Sequence, residues 1–236
     1  MERTLRRCRS VAASAVAVTV AGLAVLPAAT GASATTTGST EAQLMQQLQL
    51  RATQLADLSK EVSAATALTP SDQGALEQKL AASTTSINGL IQAVPSDDTS
   101  QLRQARRTMI YQNRVFAVLT PQVYEVIASD TAASQAATLA AEEPALQDQV
   151  NADNGQIGYR SAEARYSAFV RSVSFAESAT ARVSSHLLAQ TPQDFPRDRG
   201  VFVRSNREIL SANYALARAS YEKTLIALAT NGYTGS

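Results

Sequence analysis

The stretch RVFAVLTPQVYEVIA, residues 114–128, decides the fold, because it is the most apolar run of the chain outside its N-terminus. A helix that is apolar on most sides is buried on most sides. Arg114, Pro121 and Glu125 interrupt the run, and a lipid bilayer would offer the two charged side chains no partner. The stretch therefore predicts the central helix of an all-α protein, surrounded by other helices, rather than a membrane span.

The central helix is predicted to begin near Thr99 and to continue to about Ala141. Pro121 leaves two alternatives open. It removes a backbone N–H donor and kinks a continuous helix, or Thr120 and Pro121 begin a new helix with the threonine as its cap. The predicted apolar stripe of this helix consists of Leu102, Ala105, Met109, Phe116, Leu119, Val123 and Ile127.

Four further long helices are predicted from apolar residues that recur every three or four positions. They span about residues 41–67, 70–94, 156–189 and 199–230, and a short helical piece is predicted near residues 142–154. The last long helix is predicted to bury Leu210, Tyr214, Ala217, Tyr221, Leu225 and Leu228.

The clearest heptad spacing lies in the fourth long helix, and heptads are typical of helices that pack as coiled coils. Short connections make neighbouring helices antiparallel. The predicted fold is therefore an elongated antiparallel bundle of about five long helices with coiled-coil-like seams. The heptad of the fourth helix comprises Tyr159, Ala162, Tyr166, Phe169, Val173, Ala176, Thr180, Val183 and Leu187.

The N-terminus has the three parts of a secretory signal peptide: four arginines, a 16-residue apolar run over residues 11–26, and Ala32-Ser33-Ala34 as a cleavage site. Cleavage near Ala34 predicts a secreted protein, extracellular or associated with the cell wall, with no membrane span in the mature chain. The pair Arg6-Arg7 leaves general secretion and twin-arginine export both open.

The predicted domain organisation is a signal peptide over residues 1–34, a disordered linker over 35–40, a single helical domain over 41–230 and a flexible tail over 231–236. The signal peptide holds the only cysteine, four arginines and one glutamate. Its removal changes the 21 basic and 20 acidic residues to 17 and 19, a net charge near −2. This balance excludes nucleic acid as an electrostatically driven partner.

The composition also argues against a metal centre, a cofactor or an enzyme. His186 is the only histidine, whereas di-iron bundles need two Glu-x-x-His motifs on facing helices. A serine hydrolase would need a nucleophile on a strained turn, and no G-x-S-x-G motif is present. The adjacent acids at residues 97–98 and 142–143 are interpreted as helix caps and solvated turns.

Arginines on the central helix give the candidate ligand or partner site. Arg103, Arg107 and Arg114 share one stripe at 100° per residue, and arginine suits phosphate and carboxylate groups. The alternatives are surface charge, or buried arginines paired with acids. Arg114 is predicted to be at least half buried against a carboxylate of another helix or against several carbonyls. The candidate site comprises Arg107, Tyr111, Arg114, Pro121 and Glu125.

Three segments carry a resemblance: LTPSDQGAL at residues 68–76, YQNRVFAVLTPQVYEVIASD at 111–130, and TPQDFPRDRGVFVRSNREILSANYALARASYEKTLIAL at 191–228. They resemble a group of exported all-helical proteins of high-GC bacteria, through an Arg-Val-aromatic…Pro-Gln run and a Thr-Pro-x-Asp-aromatic start to the last helix. The group has no assigned activity. The resemblance implies an all-helical fold and export, and it assigns no catalytic residue.

These observations predict a secreted, non-catalytic structural or interaction protein of the cell envelope or extracellular space. Its partner would be an envelope protein or a wall polymer, and self-association through helix faces is also expected. The alternative is a small-ligand carrier or sensor with a pocket between helices near Pro121. A packed core around residues 111–125 would favour the first function, and a cavity with converging polar groups would favour the second.

Overall fold

The helix starts follow from capping residues in the sequence. Thr69 caps the second helix by accepting a 3.1 Å hydrogen bond from the backbone N–H of Asp72, and Pro70 occupies the first helical position. Asp98 caps the third helix in a reciprocal capping box with Gln101. Hydrogen bonds from Gln101 and Ser100 hold the pKa of the Asp98 carboxyl below its usual range.

The structure, a computed structural model, describes residues 37–96, 98–152, 154, 158–195 and 197–230. The predicted signal peptide and C-terminal tail lie outside these residues. Within them every regular element is helical, and five α-helices exceed 20 residues, so the prediction of an all-α fold with about five long helices is confirmed. The α-helices are α1 (Thr37–Ala64), α2 (Pro70–Ala93), α3 (Thr99–Arg107), α4 (Thr120–Ala140), α5 (Glu143–Ala152), α6 (Tyr159–Thr180), α7 (Val183–Leu188) and α8 (Gly200–Thr230).

The core has a leucine-rich part and an alanine-rich part. The leucine-rich part is built mainly by α1, α2, α3, α4 and α7, and it buries Leu48, Leu55 and Leu58 completely. The alanine-rich part lies where α4, α6 and α8 pack together. No helix in the described ranges is both long enough and apolar enough to cross a membrane.

The predicted central helix is not continuous. After α3, two π-helical segments, Thr108–Asn113 and Val115–Leu119, flank Arg114, and α4 then begins at Thr120. Leu119 and Thr120 both have right-handed helical dihedral angles, so the chain passes from the second π-helical segment into α4 without a break at Pro121. Pro121 lies in the first turn of α4, and the predicted central helix is interrupted at Arg114 instead. Thr120 does not cap that helix; its hydroxyl donates to the carbonyl of Val115 at 3.0 Å. The fourth predicted helix is also divided, into α6 and α7.

The predicted buried face of the last helix is wrong. Leu210 is 62% exposed and Tyr214 is 75% exposed, and Ala217, Tyr221 and Leu228 are exposed as well. The helix instead buries a different stripe with several small side chains, which allow α8 to approach α6 closely. That stripe is Ser205, Ile209, Ala212, Ala215, Leu216, Ala219, Glu222 and Ile226.

Candidate functional site

Arg114 marks a sharp break in the helical backbone. It has φ 38° and ψ 43°, in the left-handed region, between the two π-helical segments. Asn113 helps to hold the break, because its side-chain amide donates to the carbonyl of Thr108 at 3.3 Å and to the hydroxyl of Ser86 at 3.2 Å. We call residues 108–119 the Arg114 knuckle. Both π-helical turns and left-handed non-glycine residues concentrate at functional sites.

The guanidinium of Arg114 lies between aromatic rings. Its central carbon is 5.4 Å from the centroid of Tyr111 and 5.1 Å from that of Phe195, within the range of cation–π attraction. The side chain is mostly buried, as predicted. The predicted carboxylate is not observed, since among the described residues no ion pair joins Arg114 to an acid. The alternative of several carbonyls does not hold for Nε, which is buried without a hydrogen-bond partner. The contacts of the guanidinium among the described residues are therefore the two aromatic rings.

A second arginine–aromatic pair joins α1 to the same knuckle. The guanidinium of Arg51, from α1, lies 5.1 Å from the centroid of Phe116, and its burial lowers the pKa of Arg51. Phe116 was predicted to be buried, but about half of it is exposed, as is more than half of Tyr111. The π-helical turns and the left-handed residue rotate the chain relative to a regular α-helix, which brings these two rings to the surface.

The other predicted site residues do not converge on Arg114. Arg103 and Arg107 are exposed, and Arg103 donates to the carbonyl of Thr99 at 3.2 Å in its own helix. The predicted single arginine stripe is therefore wrong, because it assumed 100° per residue through the knuckle. Pro121 and Glu125 lie on α4, beyond the second π-helical segment.

Glu125 belongs to a row of buried polar residues along α4. Among the described residues Gln122 Oε1, Glu125 Oε2 and Ser129 Oγ are buried without a hydrogen-bond partner. Their spacing of three and four residues places them on one face of the helix. Burial raises the pKa of Glu125 to about 7. We call Gln122, Glu125 and Ser129 the α4 polar row.

Two polar residues of α4, Gln122 and Asp130, connect it to neighbouring elements. The amide of Gln122 donates to the carbonyls of Leu187 and Gln190, at the end of α7 and just beyond. Asp130 accepts from the backbone N–H of Thr69 at 3.1 Å and from the hydroxyl of Ser184 at 2.7 Å. These contacts fix α2 and α7 to α4 below the knuckle.

The sequence interpretation missed Arg51, Gln122, Asp130 and Phe195. For Asp130 a signal existed, because an acid within an alanine-rich helix needs a partner when it is buried. For Phe195 the signal was its place after Thr191 and Asp194, whose side chains form a local turn through a 2.7 Å hydrogen bond. No spacing rule could have linked Arg51 to Phe116, which lie on different helices.

The described part of the chain contains no group of three or more His, Cys, Asp and Glu side chains that could hold a metal ion. His186 is exposed near the end of α7. Comparison of the chain with protein-family models, with curated proteins and with solved structures finds no match.

Proposed function

We propose that this chain is an exported, non-catalytic interaction protein of the cell envelope or extracellular space, and that it binds its partner through the Arg114 knuckle. The partner is an envelope protein or a wall polymer. The basic head, apolar run and Ala32-Ser33-Ala34 sequence support export. The observation that carries the proposal is the pairing of two arginines with three aromatic rings at a strained, partly exposed turn, which itself supplies Arg114, Tyr111 and Phe116.

The packing beneath the knuckle supports a binding surface rather than a ligand cavity. Met109, Val115, Val118 and Val123 are at most 1% exposed, so the inner side of the knuckle is filled by apolar side chains. This packed layer fixes the positions of Tyr111 and Phe116 on the outer side. Side chains that are already ordered lose less conformational entropy when a partner binds.

The residue types at the knuckle also support protein recognition. Tyrosine and arginine are enriched among the residues that dominate binding energy at interfaces. The pairs Arg114–Tyr111 and Arg51–Phe116 place arginine beside an exposed ring twice on the knuckle, and the exposed Arg107 lies one turn before Tyr111. The guanidinium edges are suited to carboxylate or phosphate groups of the partner.

We also propose that the helices form an elongated antiparallel bundle with coiled-coil-like seams. The support is the burial of apolar residues that recur every three or four positions. Leu44, Leu48, Leu55, Leu58 and Val62 in α1 are buried, and Ala65, just beyond its end, is partly buried. In α6 and α7 every predicted heptad residue is buried except Tyr159 and Tyr166, which are partly buried.

The test is affinity capture from a native envelope extract, followed by mass spectrometry, with the wild-type chain and a Tyr111→Ser/Phe116→Ser double variant as baits. We expect the wild type to retain one or more envelope proteins, or sedimentable wall polymer, that the double variant loses. Both side chains are about half exposed, so their replacement should leave the helical circular dichroism spectrum unchanged.

Tyr124→Ser is the matched control, since Tyr124 is similarly exposed but lies on α4, outside the knuckle. It should retain whatever the wild type retains. Equal capture by the wild type and the double variant would reject the knuckle as the binding surface, and absence of any specific retention by the wild type would reject the proposed function.

The α4 polar row supports a second candidate, a carrier or sensor of a small ligand near Pro121. Three buried oxygens without partners on one helix face would accept hydrogen bonds from a bound molecule. Native mass spectrometry of protein purified from its producing cells tests this candidate. A bound small molecule that is released on denaturation and is absent from a Glu125→Gln variant would favour it; a bare polypeptide mass in the wild type would exclude it.

A further inference from the structure

The outward side of α8 carries a continuous apolar row. We define the outer face of α8 as Val203, Leu210, Tyr214, Tyr221 and Leu228, which are between 43% and 75% exposed. Single exposed apolar residues are ordinary. Here the spacings of seven, four, seven and seven residues match the a and d positions of a heptad. The row extends over 26 residues, and its ends are about 37 Å apart along the helix.

The outer face of α8 carries more large apolar side chains than a solvated face needs. The buried stripe of α8 combines three large apolar residues with small ones such as Ser205, Ala212 and Ala219, whereas the outer face carries two tyrosines, two leucines and a valine. Large apolar side chains stabilise a protein when they are buried. The outer face of α8 therefore has the composition of a second packing surface, and none of the described helices covers it.

The neighbouring helix widens this surface. Phe175 of α6 is 54% exposed and lines, with Leu210 and Tyr214, an open groove of about 550 Å³. Arg171 and Arg218 lie at its edge. With tyrosine- and leucine-sized side chains half to three-quarters exposed, burial of this surface would remove roughly 600–800 Å² per molecule from water. A stable protein interface buries about 800 Å² on each side.

We propose that the outer face of α8 binds the same face of a second copy of this chain, forming an antiparallel homodimer. A two-fold axis at the midpoint between Ala215 and Leu216 places large residues against smaller or complementary ones. Tyr214 then faces the partner's Ala217, Leu210 faces the partner's Tyr221, and Val203 faces the partner's Leu228.

Charge also favours the antiparallel register. In it, Arg207 lies opposite the partner's Thr224 and Arg218 lies opposite the partner's Asn213, so neither arginine faces another cation. A parallel pairing would instead put Arg207 against the partner's Arg207, and like charges facing each other are destabilising. It would also stack each tyrosine on its own copy and leave Ala217 opposite the partner's Ala217, which fills the seam unevenly.

Sedimentation equilibrium of protein purified from its producing cells tests the association. We expect a dimer at tens of micromolar, and a Tyr214→Glu/Tyr221→Glu variant with its dissociation constant raised by about 100-fold or more. The control Tyr111→Glu, on the Arg114 knuckle, should remain dimeric. A wild type that is monomeric up to about 100 μM, or a double variant that stays fully dimeric, would overturn the proposal. This surface is separate from the knuckle, so either proposal can fail alone.

Disulfide crosslinking tests the register in exported chain whose intact mass shows cleavage near Ala34, because the only native cysteine, Cys8, lies in the predicted signal peptide. Val203→Cys/Leu228→Cys should crosslink into a covalent dimer. The two positions within one chain are about 37 Å apart, far beyond the 7 Å reach of a disulfide. Val203→Cys alone should stay uncrosslinked, because the two copies of that residue lie at opposite ends of the seam. Crosslinking of this single variant would establish a parallel pairing and overturn the antiparallel register.

Discussion

Arg114 is held in an unfavourable backbone conformation by its surroundings. Its φ of 38° is the only positive value at a non-glycine residue among those described, and the left-handed conformation costs about 1–2 kcal/mol for a residue with a Cβ atom. Two kinds of contact offset this cost. The guanidinium of Arg114 lies over the rings of Tyr111 and Phe195, and the side chain of Asn113 donates two hydrogen bonds. The strain belongs to the backbone and the stacking to the side chain, so substitutions can separate them.

At Arg114 we expect glycine to be a less destabilising replacement than alanine. In the interior of an ordinary helix the order is the opposite. Both replacements remove the stacked guanidinium, but only glycine adopts a left-handed conformation without steric cost. We expect the free energy of unfolding, measured by urea denaturation, to be about 1 kcal/mol higher for Arg114→Gly than for Arg114→Ala. The control is Ala137→Gly on the exposed side of α4, which should lose about 1 kcal/mol. An alanine variant as stable as the glycine variant would show that the positive φ is not strained.

Glu125 should make the stability of the protein depend on pH. Burial raises its pKa from an ordinary value of 4.5 to about 7. Between these values the folded protein keeps a proton that the unfolded chain releases, so the free energy of unfolding falls as the pH rises from about 4.5 through 7. Because Glu125 is only partly buried, solvent screening reduces the expected loss to about 1–2 kcal/mol.

Glu125→Gln tests this dependence, because glutamine carries no titrating proton. Urea denaturation at pH 5 and pH 8 should show a stability loss in the wild type and a smaller one in the variant, which should be the more stable protein at pH 8. Glu77→Gln, on α2 and exposed, is the control and should retain the wild-type dependence. A wild-type stability that is flat or rises between pH 5 and 8 would contradict the prediction.

At the scale of the helices, the sequence predicted burial well where a helix has one apolar stripe. The heptad of α6 and α7 is buried as predicted, and the break at Ala181 and Arg182 does not disturb it. In α8 two stripes contain apolar residues. The sequence predicts burial of the stripe with the larger side chains, whereas the stripe with several small side chains is the buried one. Residue size alone could not reveal this, because close helix packing favours small side chains. The left-handed conformation at Arg114 could not be predicted either. Glycine is the residue that usually marks such a position, and none lies in the knuckle.

The two stripes of α8 should respond differently to truncation. Ile226 is fully buried, whereas Leu210 is 62% exposed. Ile226→Ala removes buried methyl groups and leaves a cavity, so it should cost about 2–5 kcal/mol of unfolding free energy. Leu210→Ala should change it by less than about 0.5 kcal/mol when both are measured at a protein concentration too low for dimers. A larger loss from Leu210→Ala under those conditions would mean that the outer face of α8 is covered within the monomer.

Across the whole molecule, stability should be distributed unevenly among the helices. The 28 residues of α1 contribute five fully or almost fully buried apolar side chains to the leucine-rich part of the core. The ten residues of α5 bury only Leu146 and Val150. Two polar contacts also connect α5 and its start to α8. Glu142, just before α5, forms an ion pair with Lys223, and the amide of Gln149 donates a 2.5 Å hydrogen bond to the hydroxyl of Thr230. A helix this short is marginal without tertiary packing.

Hydrogen exchange followed by mass spectrometry should therefore find the lowest protection in peptides from α5 and the highest in α1 and α2, since regions with few buried contacts open locally at low free energy. Val150→Ala should accelerate exchange in α5 and leave α1 unchanged, because its loss weakens a local opening. Leu55→Ala, at a residue with no exposed surface in α1, should accelerate exchange in α1 and α2 by lowering the free energy of global unfolding.

If Val150→Ala accelerated exchange in α1 as strongly as in α5, α5 would unfold only together with the rest of the molecule. Protection would then follow the cooperativity of the whole fold, and the small buried surface of α5 would not determine where the molecule opens first.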